Sequence, residues 1–300
     1  MTDEVLFKNY IIPEIPRGKN FLIWLSHDVD RVQKTIFHSI YYFFKERKFS
    51  HLQDIFSKNN PYWNFDRIMA LEGQYNAKST FFFLNETMKA DILQPKSYIL
   101  AKGRYDITSP KIKQIIKAID KNGWEVGLHG SYQSFLDKEL LTREKRTLEE
   151  VIGHEIGGIR QHYWNNVIPK TWAIQRSIGL KYDATFATKD DIGFRENIYY
   201  PFRPFDDDFL VIPTVIMEYY LFNKADGNVD VAKKMINDLI DFCKNKRAVF
   251  SVLWHPHFIN PKEFPDLYNL YEYLLKRASE EGGYFITPKN LLSSERVKWK

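Results

Sequence analysis

Two aspartates one residue apart, Asp28 and Asp30, close the apolar run Phe21-Leu22-Ile23-Trp24-Leu25, and they are the first residues in the chain whose types and spacing could do chemistry. In extended chain the side chains alternate, so Asp28 and Asp30 leave on one face while His27 and Val29 leave on the other. Two carboxylates on one face repel each other unless a cation or a shared proton offsets the charge, which points to metal-assisted chemistry. The competing reading is an Asp cap on the helical pattern that begins at Arg31. A second signal is His129, in Gly127-Leu128-His129-Gly130-Ser131-Tyr132-Gln133, a good ligand type placed just after an apolar run. Arg160, His162, His255 and His257 follow two further apolar runs in the same way.

The elements that must position these residues alternate in kind. Period-two and short apolar runs predict strands over 21–26, 79–84, 124–128, 158–161, 210–213 and 249–254, with shorter ones near Tyr182 and Tyr284. Between them, helical periodicity covers 33–47, 65–76, 110–122, 138–152, 169–178, 231–244 and 262–281. Strand and helix in repetition imply a parallel sheet, open or closed into a barrel, and in either case the site lies at the carboxyl ends of the strands. Asp28, Asp30, His129, Arg160, His162, His255 and His257 all fall there. The segment 199–208, with Pro201, Pro204 and Asp206-Asp207-Asp208, reads as a long loop of the kind that shapes binding sites.

Three hundred residues, 44% of them hydrophobic, suffice for one domain over 1–300, with a core of about 20–291 and a short N-terminal extension. The 16% aromatic content suits a carbohydrate-contacting cleft as well as a dense core. A formal charge of +5 without any basic block disfavours nucleic acid and leaves a mild attraction to anionic substrates or to peripheral contact with a membrane. The basic tail 295–300 reads as a solvated end. Cys243 stands alone, so there is neither an internal disulfide nor a cysteine zinc cage. No early basic segment runs into an apolar stretch, and no run of about 18 apolar residues occurs, so a cytoplasmic location is expected.

The motifs, taken in order, resemble those of the polysaccharide deacetylase superfamily, the chitooligosaccharide deacetylase-like carbohydrate esterases. Ser26-His27-Asp28-Val29-Asp30 resembles the first motif, Ser79-Thr80-Phe81-Phe82-Phe83 the second strand, and His129-Gly130-Ser131-Tyr132-Gln133 the His-x-x-x-His motif except at its last position. Gly158-Ile159-Arg160-Gln161-His162 is similar to the arginine-bearing motif, Tyr182-Asp183-Ala184-Thr185 to the fourth, and Leu253-Trp254-His255 to the Leu-x-His motif. The resemblance implies a distorted (β/α) barrel of about seven parallel strands. It also implies roles: Asp28 as general base, Asp30 and His129 as metal ligands, His255 as general acid, Arg160 orienting Asp28, and Asp183 tuning the catalytic histidine. Leu253 would pack beside the acyl group, with Tyr132 and Trp254 as further substrate contacts; separately, the guanidinium of Arg195 suits a two-pronged contact to a substrate phosphate or carboxylate.

Where the superfamily has a second histidine ligand this chain has Gln133, a poor zinc ligand. Three outcomes follow: His162 completes the site, Gln133 binds weakly or through water, or the metal is absent. His-Asp-Val-Asp, His-x-Ser-Tyr and Arg-Gln-His-Tyr also resemble a subgroup linked to surface polysaccharide synthesis, which favours His162. The implied function is a metal-dependent N-deacylase of an amino sugar, carried on a nucleotide or a lipid, using one divalent ion: zinc first, with cobalt, manganese or nickel as alternatives. The rivals are a carbohydrate-binding barrel without activity and a hydrolase of non-sugar amides or imides. Glu218 and His257 are further candidates, whereas His38, His51 and His154 read as solvated. The sequence leaves the oligomeric state open.

Overall fold

The computed structural model describes residues 9–47, 49–56, 60–88, 93, 104–205 and 207–293, so residues 1–5, Asp206 and the tail 295–300 lie outside it. Among the described residues nine strands carry the fold: β1 (Phe21–Val29), β2 (Thr80–Leu84), β3 (Glu125–Gly130), β4 (Gly158–Gln161), β5 (Tyr182–Asp183), β6 (Leu210–Val211), β7 (Ile216–Met217), β8 (Val249–Leu253) and β9 (Gly283–Phe285). The helices used below are α1 (Ile36–Glu46), α2 (Phe65–Gly73), α3 (Pro110–Lys121), α4 (Lys138–Ile152), α5 (Lys170–Ser177), α6 (Glu218–Lys224), α7 (Val229–Lys246) and α8 (Pro265–Glu280).

Eight strands lie side by side in the order β6-β5-β4-β3-β2-β1-β8-β7, with β9 added on β1, and the paired strands run parallel. The two ends of that row, β6 and β7, are only four residues apart in the chain, so the sheet has to curl until its edges meet. The linking segment is bonded on both sides. The Ile212 and Thr214 amides donate to Asp183 and Phe186 carbonyls at 2.9 and 2.8 Å, and the Val215 amide donates to the Ser251 carbonyl at 3.1 Å. The result is the distorted (β/α) barrel expected from the sequence, with eight strands in the ring rather than about seven. The extra one, β7, is too short to show periodicity.

Alternation along β1 sorts the barrel. Phe21, Ile23, Leu25 and Val29 enter the large core beneath the helices, while Trp24 packs inward with Phe82 and Tyr182. The helices repeat the logic at their own period: α3 starts at Pro110 and buries Ile112, Ile115, Ile116 and Ile119 as one stripe. Helix α4 is capped by the Asp137 carboxylate on the Leu140 amide and ends at Gly153 in left-handed backbone. Among the described residues no helix is long and apolar enough to cross a membrane.

On the outward face of β1, His27 is fully buried and bonded at both nitrogens, Nδ1 to the Trp254 carbonyl at 2.5 Å and Nε2 to Glu72 at 2.8 Å. Glu72 of α2 also accepts from Tyr271 of α8 at 2.8 Å and from Trp124 at 2.6 Å. This carboxylate therefore pins the backbone just before His255. Replacing Glu72 by Ala leaves the Tyr271 hydroxyl, the half-buried Trp124 indole and the buried His27 ring without their shared partner, and the expected loss is about 3–5 kcal/mol in urea unfolding, with Glu72→Gln losing less. A loss below about 1 kcal/mol for the alanine variant would show that the network holds nothing together.

Candidate active site

Because the strands are parallel, their carboxyl ends open at one mouth, and there Asp30, His129 and His162 converge. Asp30 Oδ1 stands 3.1 Å from His129 Nε2 and 3.5 Å from His162 Nε2, and one ligand atom from each residue lies within 4.8 Å of the others. The Nδ1–H of His129 donates to the Arg160 carbonyl at 2.8 Å, which fixes the tautomer and turns the Nε2 lone pair to the centre. Asp30 Oδ1 is buried and takes part in no well-aligned hydrogen bond, which leaves this oxygen open towards the two imidazoles. Two imidazoles and a carboxylate in this arrangement fit a divalent cation.

The charges agree with that fit. Burial acts to raise the Asp30 pKa, but His162, His129 and His255 outweigh it and hold the carboxyl well below its usual range. Burial acts to lower the His129 pKa, yet Asp28 and Asp30 raise it, and the field that attracts a proton there attracts a cation. His162 is pushed down to about 4 by burial, against the pull of Asp30, and is neutral and ready to ligate at neutral pH. The backbone after it is strained: Tyr163 and Trp164 take φ of 56° and 52°, left-handed values that bulky residues avoid. This turn brings His162 and Trp164 into the cleft wall.

Beside the trio, Asp28 and Arg160 form a buried pair, Arg160 Nη1 donating to Asp28 Oδ1 at 2.8 Å. Arg160 is held on every side. Its Nε donates to the Ala184 carbonyl at 3.0 Å, its Nη2 to Thr214 Oγ1 at 3.2 Å, and its plane lies over the Phe82 ring at 4.7 Å. The other oxygen of Asp28 faces the trio, 3.8 Å from His129 Nε2. Gly130 lets the ends of β3 and β4 close up, since a Cβ there would collide with the Gln161 side chain.

Across the cleft, His255 turns Nε2 towards Asp30 Oδ2 at 3.5 Å and its Nδ1–H to Glu218 Oε1 at 2.6 Å. Burial would lower the His255 pKa, but Glu218 and Asp30 raise it well above the ordinary value. The carboxylate behind this histidine is thus Glu218, which opens α6 and is fully buried, and not Asp183. Asp183 is buried elsewhere: it accepts from Gln175 at 2.8 Å and from Thr185 at 2.6 Å, and Thr185 in turn accepts the Gln161 amide at 3.0 Å. It braces the strand that carries Arg160 and His162.

The cleft has a volume of about 730 Å³, and its wall includes Leu253, Tyr132 and His257 beside the groups above. Tyr42, Trp164, Tyr219, Tyr220 and Phe258 add aromatic faces. Three expected contacts stand elsewhere. Gln133 is exposed on its loop, outside the cleft wall. Arg195 stacks on Phe186 at 4.4 Å and pairs with Glu196 at 3.2 Å. Trp254 is fully buried against Tyr271, because alternation along β8 turns it away from the face that Leu253 presents. His38 and His51 are also buried rather than solvated; His51 bonds the ammonium of Lys34 at 2.8 Å.

The fold that sets these groups around one mouth is the polysaccharide-deacetylase type of (β/α) barrel. A structure from Mycobacterium smegmatis assigned as a polysaccharide deacetylase is similar to this chain with a TM-score of 0.62 at 15% identity, covering 95% of this chain and 93% of that one. The allantoinase Puue aligns with a TM-score of 0.59 at 15% identity over 95% and 94% of the two chains. A Pseudomonas aeruginosa PAO1 protein, also assigned as a polysaccharide deacetylase, gives 0.58 at 14% identity over 93% and 91%. No protein-family profile matches the sequence, and no curated protein matches it by sequence.

Proposed function

We propose that residues of about 20–291 form one catalytic domain, a metal-dependent hydrolase that removes an acetyl or formyl group from the nitrogen of an amino sugar. The observation that carries this reading is the meeting, in one cleft, of a three-residue cation site, an arginine-bound carboxylate and a carboxylate-backed imidazole. Asp30, His129 and His162 would hold the ion, zinc by ligand type. When bound, it polarises the acyl oxygen and acidifies a water molecule.

The remaining work falls to the chain's own groups. Asp28 takes a proton from the attacking water through the oxygen that Arg160 leaves free, and Arg160 keeps that carboxylate oriented. His255, held protonated by Glu218, gives a proton from Nε2 to the departing amine. Leu253 and Tyr132 flank the acyl group, and the aromatic faces suit sugar rings.

Two measurements test this account. Metal-stripped protein is expected to regain the release of acetate or formate from a panel of N-acyl amino sugars on adding one equivalent of zinc. Cyclic amides such as allantoin form a second arm of the panel. Failure to bind any divalent ion would leave a carbohydrate-binding barrel. Separately, Glu218→Gln removes the larger of the two charges that raise the His255 pKa, leaving Asp30. The protonated, active form of His255 is lost as pH rises through that pKa, so the variant's alkaline limb in kcat is expected to move towards neutral pH. An alkaline limb at the wild-type pH would remove Glu218 from the account.

A further inference from the structure

Helix α1 is built inside out. His38 and Ser39 are its buried residues, whereas Ile36, Phe37, Ile40 and Phe44 are 57, 75, 39 and 74% exposed along one outer face. Phe49 continues the stripe at 73% exposure, the Phe43 ring bridging Phe44 and Phe49 at 5.3 and 5.4 Å, and Phe56, a few residues on, is 87% exposed. An exposed apolar face of this extent exceeds what an isolated protein surface ordinarily carries and marks a surface that meets something.

The charge of the same segment says what. Residues 31–58 hold six Lys and Arg against two Asp and Glu, which is +4 of the chain's +5; Lys34 is buried and paired with Asp54 and Glu263, and the other five basic residues of the segment still stand against Glu46 alone. Arg47, at the end of α1, is exposed beside the stripe. A second copy laid on this face by two-fold symmetry would set two such basic segments against each other. An anionic bilayer instead satisfies both features, taking the aromatic side chains into its interface and the cations at its phosphates. Position adds a third point, because Tyr42 of α1 and Arg31 just before it stand in the wall of the cleft.

We propose that the outer face of α1, with Phe49 and Phe56, docks on the surface of an anionic lipid membrane and sets the cleft mouth among the headgroups, where it receives an N-acyl sugar carried on a lipid. The docking stands independently of the deacylase reading, and the nature of the substrate rests on it. The test is sedimentation of the metal-loaded full chain with vesicles of equal parts phosphatidylglycerol and phosphatidylcholine, against vesicles of phosphatidylcholine alone. Binding is expected to the anionic vesicles only, weakening with added salt. Phe37→Ser/Phe44→Ser is expected to bind at least about tenfold more weakly with an unchanged melting temperature, and Phe37→Trp to bind as the wild type does.

No binding to anionic vesicles overturns the docking, and so does wild-type binding by the double serine variant. A wild-type dimer that this variant makes monomeric, without vesicle binding, assigns the face to self-association and also overturns it. Vesicle binding without hydrolysis of any N-acyl sugar, soluble or lipid-borne, removes the deacylase reading and leaves the docking standing. Hydrolysis of soluble sugars without vesicle binding does the reverse.

Discussion

Asp28→Asn is expected to lower kcat by roughly 1,000-fold while the protein still takes up one divalent ion. The two halves of that result come from different atoms. Asp28 stands beside the cation site, with one oxygen held by Arg160 Nη1 at 2.8 Å and the other facing the cleft, so an amide in its place removes the proton acceptor and leaves Asp30, His129 and His162 untouched. The buried Arg160 charge loses its counter-ion, and the variant is expected to melt at a lower temperature as well. Activity is therefore compared well below both melting points, with bound metal counted on the same sample. Turnover within tenfold of the wild type, or loss of the ion along with turnover, would take the base assignment away from Asp28.

How much of this was legible in the sequence differs residue by residue. Asp28 and Asp30 could be placed on one face from the period of an extended chain, because β1 stays regular to Val29 and its apolar residues leave little choice of register. His129, Arg160 and His255 could be placed at strand ends for the same reason. Glu218 could not. It follows the short stretch from Thr214 to Met217, whose two-residue strand is too short to show a period, and what holds it is a pairing with Ser251 far along the chain. The period-two rule, applied once more, would have turned Trp254 outward, towards the helices, as soon as Leu253 was given to the cleft. Asp183 carried a family motif, yet its surroundings of Trp172, Gln175 and Thr185 are tertiary facts that no local spacing encodes. The apolar spacing of α1 was visible as a helix, but a hydrophobic stripe is ordinarily read as facing the core, and here it faces out.

The most informative variant is His162→Ala, because it decides whether His162 completes the proposed cation site in a chain that has Gln133 where the resembling motif has a histidine. Removal of a direct ligand is expected to weaken metal affinity by more than the ~10–100-fold that loss of a supporting hydrogen bond brings, with hydrolysis lost in parallel. Gln133→Ala is expected to change neither, since that side chain is exposed and stands outside the cleft wall. The dependence on pH separates the two imidazoles. His162, pushed down to about 4, offers its lone pair throughout the neutral range, whereas His129, raised by Asp28 and Asp30, must give up a proton before it ligates. Affinity is thus expected to climb with pH through the raised His129 range and to fall below it, with protons released into the medium as the ion binds. Chelator competition at a series of pH values measures both. Undiminished affinity in His162→Ala would hand the third ligand position to another group and leave the left-handed turn at Tyr163 and Trp164 without a reason at this site.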